Sequence, residues 1–469
     1  MPLILGTNSI KDTGYDVDNS CRFNDGDSAY MHKTFGTGGS TTAWTMSMWV
    51  KRGVLGTDQR VFSCDDSSDG DPDNYWRFKS DDTLQVNIYN SSAIGNLVTN
   101  RKFRDCSSWY HVCVIWKSGD STSTDRLQLW VNGTRETSFS ATTFPSQNAN
   151  SITASQVIAV GRRNYAGEQH FDGYLAEVVF LDGVTASPVD TLGEFDSDSP
   201  TIFKPKDPSG LSFGSTGFYL DFEDSANLGN DKNGGTDLTE TNLAATDQTT
   251  DTPTLNYMTL NPVAAGVGDV NRIPTFSEGN TKFTAAGSDT FYQAISTFGV
   301  STGSWYFEVK VASDQDLDKL RVGYWNIDKT VSSGEIQDVS AANSHVFYMN
   351  KDGGEMRLNT TATTADYGTF ADDELMGVAI DMDAQTITIL KANSVIVNAY
   401  DYSGGIAAGT VLTPAFMGYD DTAFQVNFGN PHEANSSDAA DENGYGAFEF
   451  APPSGYLAFN SANLGSDGG

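Results

Sequence analysis

The stretch CDDSSDGDPDNYW, residues 64–76, places Asp65, Asp66, Asp69, Asp71 and Asp73 just ahead of two aromatic rings, Tyr75 and Trp76. Two chemistries use that mixture. Hard carboxylate oxygens on a flexible loop are what calcium takes, and Asp65, Asp69 and Asp71 are the candidate ligands. Asp65, Asp69 and Gly70 fall near the offsets of a helix–loop–helix calcium loop, but the twelfth position is Trp76 instead of a bidentate glutamate. Sugar recognition is the second chemistry: carboxylates accept hydrogen bonds from hydroxyls while a ring face packs on the apolar side of a pyranose. Asp69, Asp71, Asp73, Tyr75 and Trp76 are therefore the ligand-binding candidates. A plainer reading competes, because Asp, Gly and Asn are ordinary turn residues and Trp76 can open the strand WRF with its ring in a core.

No catalytic set can be named. His32, His111, His170, His345 and His432 are scattered, and no Ser-His-Asp or Cys-His pattern has motif support. His111 lies inside an apolar run, where a structural role is expected. No glycine-rich loop opens a helix, which speaks against nucleotide binding. Cys21, Cys64, Cys106 and Cys113 show neither CxxC spacing nor histidine pairing, so they read as reduced, buried thiols of a protein made in a cytoplasm.

Charge narrows the partners. The chain of 469 residues carries −33, and residues 186–469 hold 40 acids against 12 bases. Such a field repels nucleic acid and anionic membrane. No apolar run approaches the ~20 residues of a spanning helix, so no membrane insertion is expected. The opening MPLILGTNSIK has no basic n-region and no long apolar stretch, so no signal peptide is read.

The elements that must position these residues are strands. WTMSMWVKR (44–52), RVFSC (60–64), TLQVNIY (83–89), Trp109 to Trp116, SQVIAVG (155–161) and YLAEVVFLDG (174–183) are short aromatic and branched runs separated by turn residues. Leu127, Leu129 and Val131 alternate and stop at Asn132-Gly133, a pair that tolerates the positive φ of a two-residue hairpin. Of the tryptophans at 109, 116 and 130, two are expected in a core and one at the surface. A second set follows: Trp305, Phe307, Val309 and Val311 alternate with polar positions, then come RVGYWNI, HVFYMN and the hairpin GVAIDMDAQTITIL. The expectation is an all-β chain of two antiparallel β-sandwich, jelly-roll-like domains. They are placed at 1–185, with a short N-terminal arm, and at 259–469, joined by a packed acidic connector, 186–258, whose patch GFYLDF alternates like a strand. YLDFEDSANLG (219–229) and YLAFNSANLG (456–465) echo each other, as if each domain ended by laying a similar strand on its own sheet.

WYHVCVIWK, LQLWVNGT and FDGYLAEVVFLDG resemble the laminin-G-like branch of the concanavalin-A-like sandwiches. GSWYFEVKV, VGYWN and LMGVAIDMDAQTITIL resemble SPRY domains. The opening LGTNSIKDTGYDVDNSCRFNDGDSAY, GFYLDFEDSANLG with DTPTLNYMTLNP, and PPSGYLAFNSANL together are similar to virion proteins of tailed bacteriophages.

These resemblances imply a virion structural or adhesion protein, a tail fibre or similar appendage that binds host surface glycan or protein. They add Tyr324 and Trp325, from the SPRY-like part, as binding candidates. The implied partners are other virion proteins and a second copy of the chain, with a trimer favoured. The rival readings are a capsid decoration or assembly protein and a polysaccharide depolymerase. Glucanases of the concanavalin-A-like group carry E-x-D-x-x-E on one strand, which sets the two carboxylates of a retaining glycosidase ~5 Å apart. The chain has no such motif, and its nearest approach, Glu194-Phe195-Asp196-Ser197-Asp198, lies in the connector. The expectation is a non-enzyme.

Overall fold

The computed structural model describes residues 14–65, 73–89, 92–151, 156–164, 168–264, 272–285, 287, 290–313, 319–331, 334–351 and 353–467. The chain's regular structure is nearly all β, 43% strand against 3% helix, as the alternating runs require. Its described residues divide into two compact units, 14–254 and 255–467. No described helix is long and apolar enough to cross a membrane.

In the first unit, sheet 1 runs in the order Thr134–Arg135, Leu127–Val131, Tyr110–Lys117, Ala43–Arg52, Gly173–Asp182, Ser20–Phe23 and Gln248–Thr249. Sheet 2 runs Phe139–Thr143, Ala93–Lys102, Thr83–Tyr89, Asp73–Phe78, Gln59–Asp65, Val157–Val160, Tyr30–Thr34 and Thr239–Thr241. Alternation decides which side chains fill the space between them. Met46, Met48, Val112, Val114 and Trp116 come from sheet 1, and Phe62, Trp76, Leu84 and Val86 from sheet 2. Trp44 lies parallel to Trp116 at 6.3 Å and meets Trp76 at 6.2 Å. Fully burying a large aromatic side chain contributes at least ~2–3 kcal/mol, so these rings set the register of both sheets.

Asn132 and Gly133 take φ of +47° and +69°, and Val131 pairs with Thr134. This is the expected two-residue hairpin. A Cβ at Gly133 would meet the Phe203 ring at 2.4 Å, so the position needs glycine twice over. Of the three nearby tryptophans, Trp116 is core, Trp109 is buried in a second cluster and Trp130 is half-buried.

The stretch read as a connector, 186–258, does not stand between the units. Residues 186–254 belong to the first one. Phe218–Leu220 pairs with Gly173–Asp182, Gln248–Thr249 with Ser20–Phe23, and Thr239–Thr241 with Tyr30–Thr34. Leu192, Phe203 and Phe213 close over the outer face of sheet 1, against Trp49, Trp109, Cys113 and Ile115. The boundary at 185 is corrected to 254; low apolar density hid short strands whose partners lie far away in sequence. All four cysteines are buried free thiols.

Glu177 is among several described non-glycine residues of this unit held at positive φ. Gly173–Asp182 pairs along one edge with Ser20–Phe23 through residues 173–175, then with Phe218–Leu220 through 178–180. Glu177 sits at the change of partner, in a bulge, with φ of +49°. Its carboxyl group is buried and accepts hydrogen bonds from the Tyr219 hydroxyl at 2.9 Å and the Tyr15 hydroxyl at 3.3 Å.

The second unit is a sandwich of the same kind. Sheet 3 runs Thr275–Ser277, Lys282–Thr284, Ala423–Asn427, Ser304–Ser313, Leu375–Asp381, Thr386–Lys391 and Ser394–Asp401. Sheet 4 runs Phe291–Ile295, Leu412–Tyr419, Arg321–Asn326, His345–Met349, Glu355–Leu358 and Thr361–Ala362. Phe307, Val309, Phe416 and Phe424 lie in the core between them. The sequence echo has a structural counterpart. Leu220 and Phe222 enter the first core as Leu457 and Phe459 enter the second, and Leu228 and Leu464 follow them inside. Each echo adds a short strand to its own sheet, antiparallel in the first unit and parallel in the second.

Candidate functional site

Sheet 1 is covered on its outer face, so the open face of sheet 2 is where the first sandwich presents side chains to solvent. Along Asp73–Phe78 the even positions Asn74, Trp76 and Phe78 are buried, while Asp73, Tyr75 and Arg77 point outward and are half-buried. The register carries this outward set across the sheet. Tyr75 lies opposite Ser63 on one side and Asn87 on the other, Arg77 lies opposite Arg60 and Gln85, and Asn87 lies opposite Asn96.

These groups form a connected polar surface. Arg77 donates to Asp58 at 2.9 Å and to the Gln85 amide oxygen at 3.0 Å, and Gln85 donates to Asn96 at 2.8 Å. Arg60 clasps Asp73 with two nitrogens, at 2.5 and 3.1 Å, and reaches Gln169 at 2.8 Å. Both guanidinium groups lie over the Tyr75 ring, Arg60 at 4.0 Å and Arg77 at 5.1 Å from its centroid. Burial raises the Tyr75 pKa and the two arginines oppose that shift, so the phenol stays a neutral donor and acceptor at ordinary pH. Each arginine is matched by an aspartate. The patch thus offers planar, hydrogen-bonding groups held rigidly with little net charge, which suits a hydroxyl-rich, uncharged ligand better than an anion.

Further along the same sheet a second cluster gathers Tyr30, His32, Arg162 and His170. The Arg162 guanidinium sits 3.3 Å from the Tyr30 ring centroid, with His32 and His170 at 5.5 and 6.3 Å from that ring. Between the clusters Ser63 donates to the Arg162 carbonyl at 2.9 Å and accepts from the Asn164 amide at 3.1 Å.

The residues singled out from sequence separate sharply. Asp69 and Asp71 lie outside the described residues, as does the side chain of Asp65, and with them the calcium reading. Asp73 and Tyr75 belong to the polar face, although Asp73 is engaged by Arg60 and the Tyr75 ring by guanidinium groups. Trp76, Tyr324 and Trp325 are corrected from ligand-binding candidates to core residues. Trp76 is 1% exposed and stacks on Phe62 at 4.6 Å, because alternation turns it inward when Tyr75 turns outward. Tyr324 faces Phe307 inside the second core, and Trp325 stacks on His345 beneath Ile295 and Ile336. Both lie mid-strand in Arg321–Asn326 and not in a loop. Arg60, Arg77, Gln85 and Asn96 were missed. Their sequence signal was polar residues at alternate positions of otherwise apolar strands.

Among the described residues no three His, Cys, Asp or Glu side chains converge as a metal site. His111 is buried, bonded to the Ser47 hydroxyl at 2.7 Å, and burial pushes its pKa down to about 3, in keeping with a structural role.

Residues 24–187 match the family model of the concanavalin A-like lectin/glucanase superfamily, in its laminin-G-like branch, and residues 304–431 match that of the SPRY domain. No curated protein matches the chain. Among solved structures, the SPRY domain of human HERC1 is 15% identical with a TM-score of 0.27, over 36% of this chain and 96% of that one. The heptameric SAP-like pentraxin of Limulus polyphemus is 19% identical with a TM-score of 0.29, over 37% and 80%. A protein of Bacteroides ovatus assigned as carbohydrate binding is 15% identical with a TM-score of 0.31, over 48% and 58%.

Proposed function

We propose that the protein is a virion adhesion protein of a tailed bacteriophage, a tail fibre or similar appendage, whose first sandwich binds a host surface glycan on the open face of sheet 2. One observation carries the binding site: the rigid network Asp58–Arg77–Gln85–Asn96 beside Tyr75 and the Arg60–Asp73 pair. Such preorganised donors and acceptors exchange water for sugar hydroxyls with little ordering cost. The lectin-superfamily match over residues 24–187 supports the ligand class. The phage assignment rests on the residue resemblances at the two ends of the chain and around residues 217–262. The protein acts in this reading by binding alone, as a homo-oligomer assembled with other virion proteins, and has no glycosidase chemistry.

The test uses the full chain on a panel of host surface glycans and on host cells. Gln85→Ala with Asn96→Ala removes the outward amides without touching the core. Lost binding with an unchanged melting curve supports the site. Retained binding moves recognition elsewhere, and Asp69→Ala with Asp71→Ala then tests the neighbouring acidic loop. Release of reducing ends above a heat-killed control would contradict the non-enzymatic reading. Labelling within intact particles separates a tail appendage from a capsid decoration protein.

A further inference from the structure

The second unit holds a cavity of about 400 Å³ on the outer face of sheet 3, within the size range of small-molecule sites. Its floor is set by alternation. Glu308 and Lys310 point outward from Ser304–Ser313, and Gln425 and Asn427 from Ala423–Asn427, while Phe307, Val309 and Phe424 between them fill the core. One wall comes from Asp373, Glu374 and Leu375, and the roof from residues 431–435 with Glu449 and Phe450. Glu433 closes the roof onto the floor, accepting from Lys310 at 2.8 Å and from Gln425 at 2.5 Å.

The pairing inside decides what could enter. Five carboxylates line the space: Glu308, Asp373, Glu374, Glu433 and Glu449. Both lysines are already matched, Lys310 by Glu433 and Lys391 by Glu374 at 2.5 Å. Glu308 is 1% exposed and accepts from the Glu449 and Phe450 amides at 2.9 Å each, from Tyr306 and from Asn427, with no cation among the described residues at ion-pair distance. Glu449 accepts from the Ser436 amide at 2.7 Å, and Asp373 stands exposed at the rim. His432 is bonded to the Thr281 hydroxyl at 2.9 Å. An anion would find no spare positive charge here, in a unit that holds 27 acids against 9 bases over residues 255–469. Leu375, Pro431, Ala434 and Phe450 supply apolar walls for a hydrocarbon stem.

We propose that this cavity binds an aliphatic cation, the charged end of a lysine or arginine side chain on a partner or of a free polyamine. The apolar walls take the stem, and Asp373 and Glu449, neither of them at ion-pair distance from a described lysine or arginine, take the charge. This site is independent of the glycan face and is tested without it.

Titration calorimetry of the full chain at low salt would use Nα-acetyl-arginine methylamide and spermidine as the cations, and the neutral Nα-acetyl-citrulline methylamide as the control. Arginine amide or spermidine should bind at least about tenfold tighter than the citrulline compound, the expected effect of a charge partner in a lined pocket. Asp373→Asn with Glu449→Gln should weaken the preferred cation by a similar factor. Asp328→Asn with Asp401→Asn removes the same charge outside the cavity and should change affinity by no more than about twofold, the residue of long-range field. A preference for arginine amide identifies a side chain on a partner as the source, and a preference for spermidine a free polyamine. Failure of both cations to bind, equal binding of the citrulline compound, or equal loss in the two double variants overturns the proposal.

Discussion

Replacing Glu177 by glutamine should flatten the alkaline side of the first unit's stability profile. Burial, aided by the charges of Asp221 and Asp207, pushes the Glu177 pKa from 4.5 up to about 8, against the pull of the Tyr219 and Tyr15 hydroxyls. The folded state therefore holds a proton that the unfolded chain has already released. In that window the unfolded state binds fewer protons, so stability falls as pH rises, by ~1.4 kcal/mol per unit. His111 acts with the opposite sign: its depressed pKa costs stability only as pH falls below 6.5 toward about 3. The two effects cancel in part at acid pH and separate above 6.5. From there to about 8 the Glu177 contribution alone amounts to ~2 kcal/mol.

Glutamine keeps an oxygen for Tyr219 and cannot ionise. Urea unfolding between pH 6.5 and 8 would be followed by tryptophan fluorescence, since six of the eight tryptophans (44, 49, 76, 109, 116 and 130) lie in this unit. The wild type should lose ~2 kcal/mol across the window while the variant stays level. Parallel profiles for the two proteins would refute the reasoning, because Glu177 would then be ionised in the fold and held as a carboxylate by its tyrosines.

Further outcomes follow from the same structure. Trp76→Ala should cost ~3–5 kcal/mol in unfolding free energy, since it empties the space between Phe62 and Trp44. Gly133→Ala should destabilise by more than ~1 kcal/mol in the same assay, through the +69° φ and the Phe203 ring. A chain ending at 185 should fail to give a cooperative melt, because it removes Phe218, Leu220, Phe222 and Leu238 from the first core, whereas residues 12–254 should melt as one unit.

Where the chain repeats a strong local signal, the fold could be read from it. TLQVNIY is the strand Thr83–Tyr89, Leu127 to Val131 is a strand, and Asn132-Gly133 is the hairpin turn. Period-two burial and the left-handed turn are properties of neighbouring residues, so they survive without tertiary knowledge. The fate of 186–254 did not. Phe218–Leu220, Thr239–Thr241 and Gln248–Thr249 are two or three residues long and gain their stability from partners up to about 230 positions away. Segments so short have no periodicity of their own to read.

The site was legible to the same degree and for the same reason. Asp73 and Tyr75 were singled out because they stand in a dense acidic and aromatic stretch, and the structure places them on the outward face; Trp76 was misread because composition does not say which neighbour turns inward. Once the strand is placed, one fact settles all three: Trp76 stacks on Phe62, so Tyr75 and Asp73 must share the opposite face. Register then does what sequence proximity cannot, bringing Arg60, Gln85 and Asn96 beside them from three other strands. The cover over sheet 1 completes the argument. With Leu192, Phe203 and Phe213 closing that face, polar side chains on the broad surface of the sandwich concentrate on sheet 2. A buried face selects for apolar packing, whereas an open one can hold amides and guanidinium groups at fixed spacing on a stiff sheet. That is why the loop-borne aspartates that first drew attention rank behind Gln85 and Asn96 as the residues to change first.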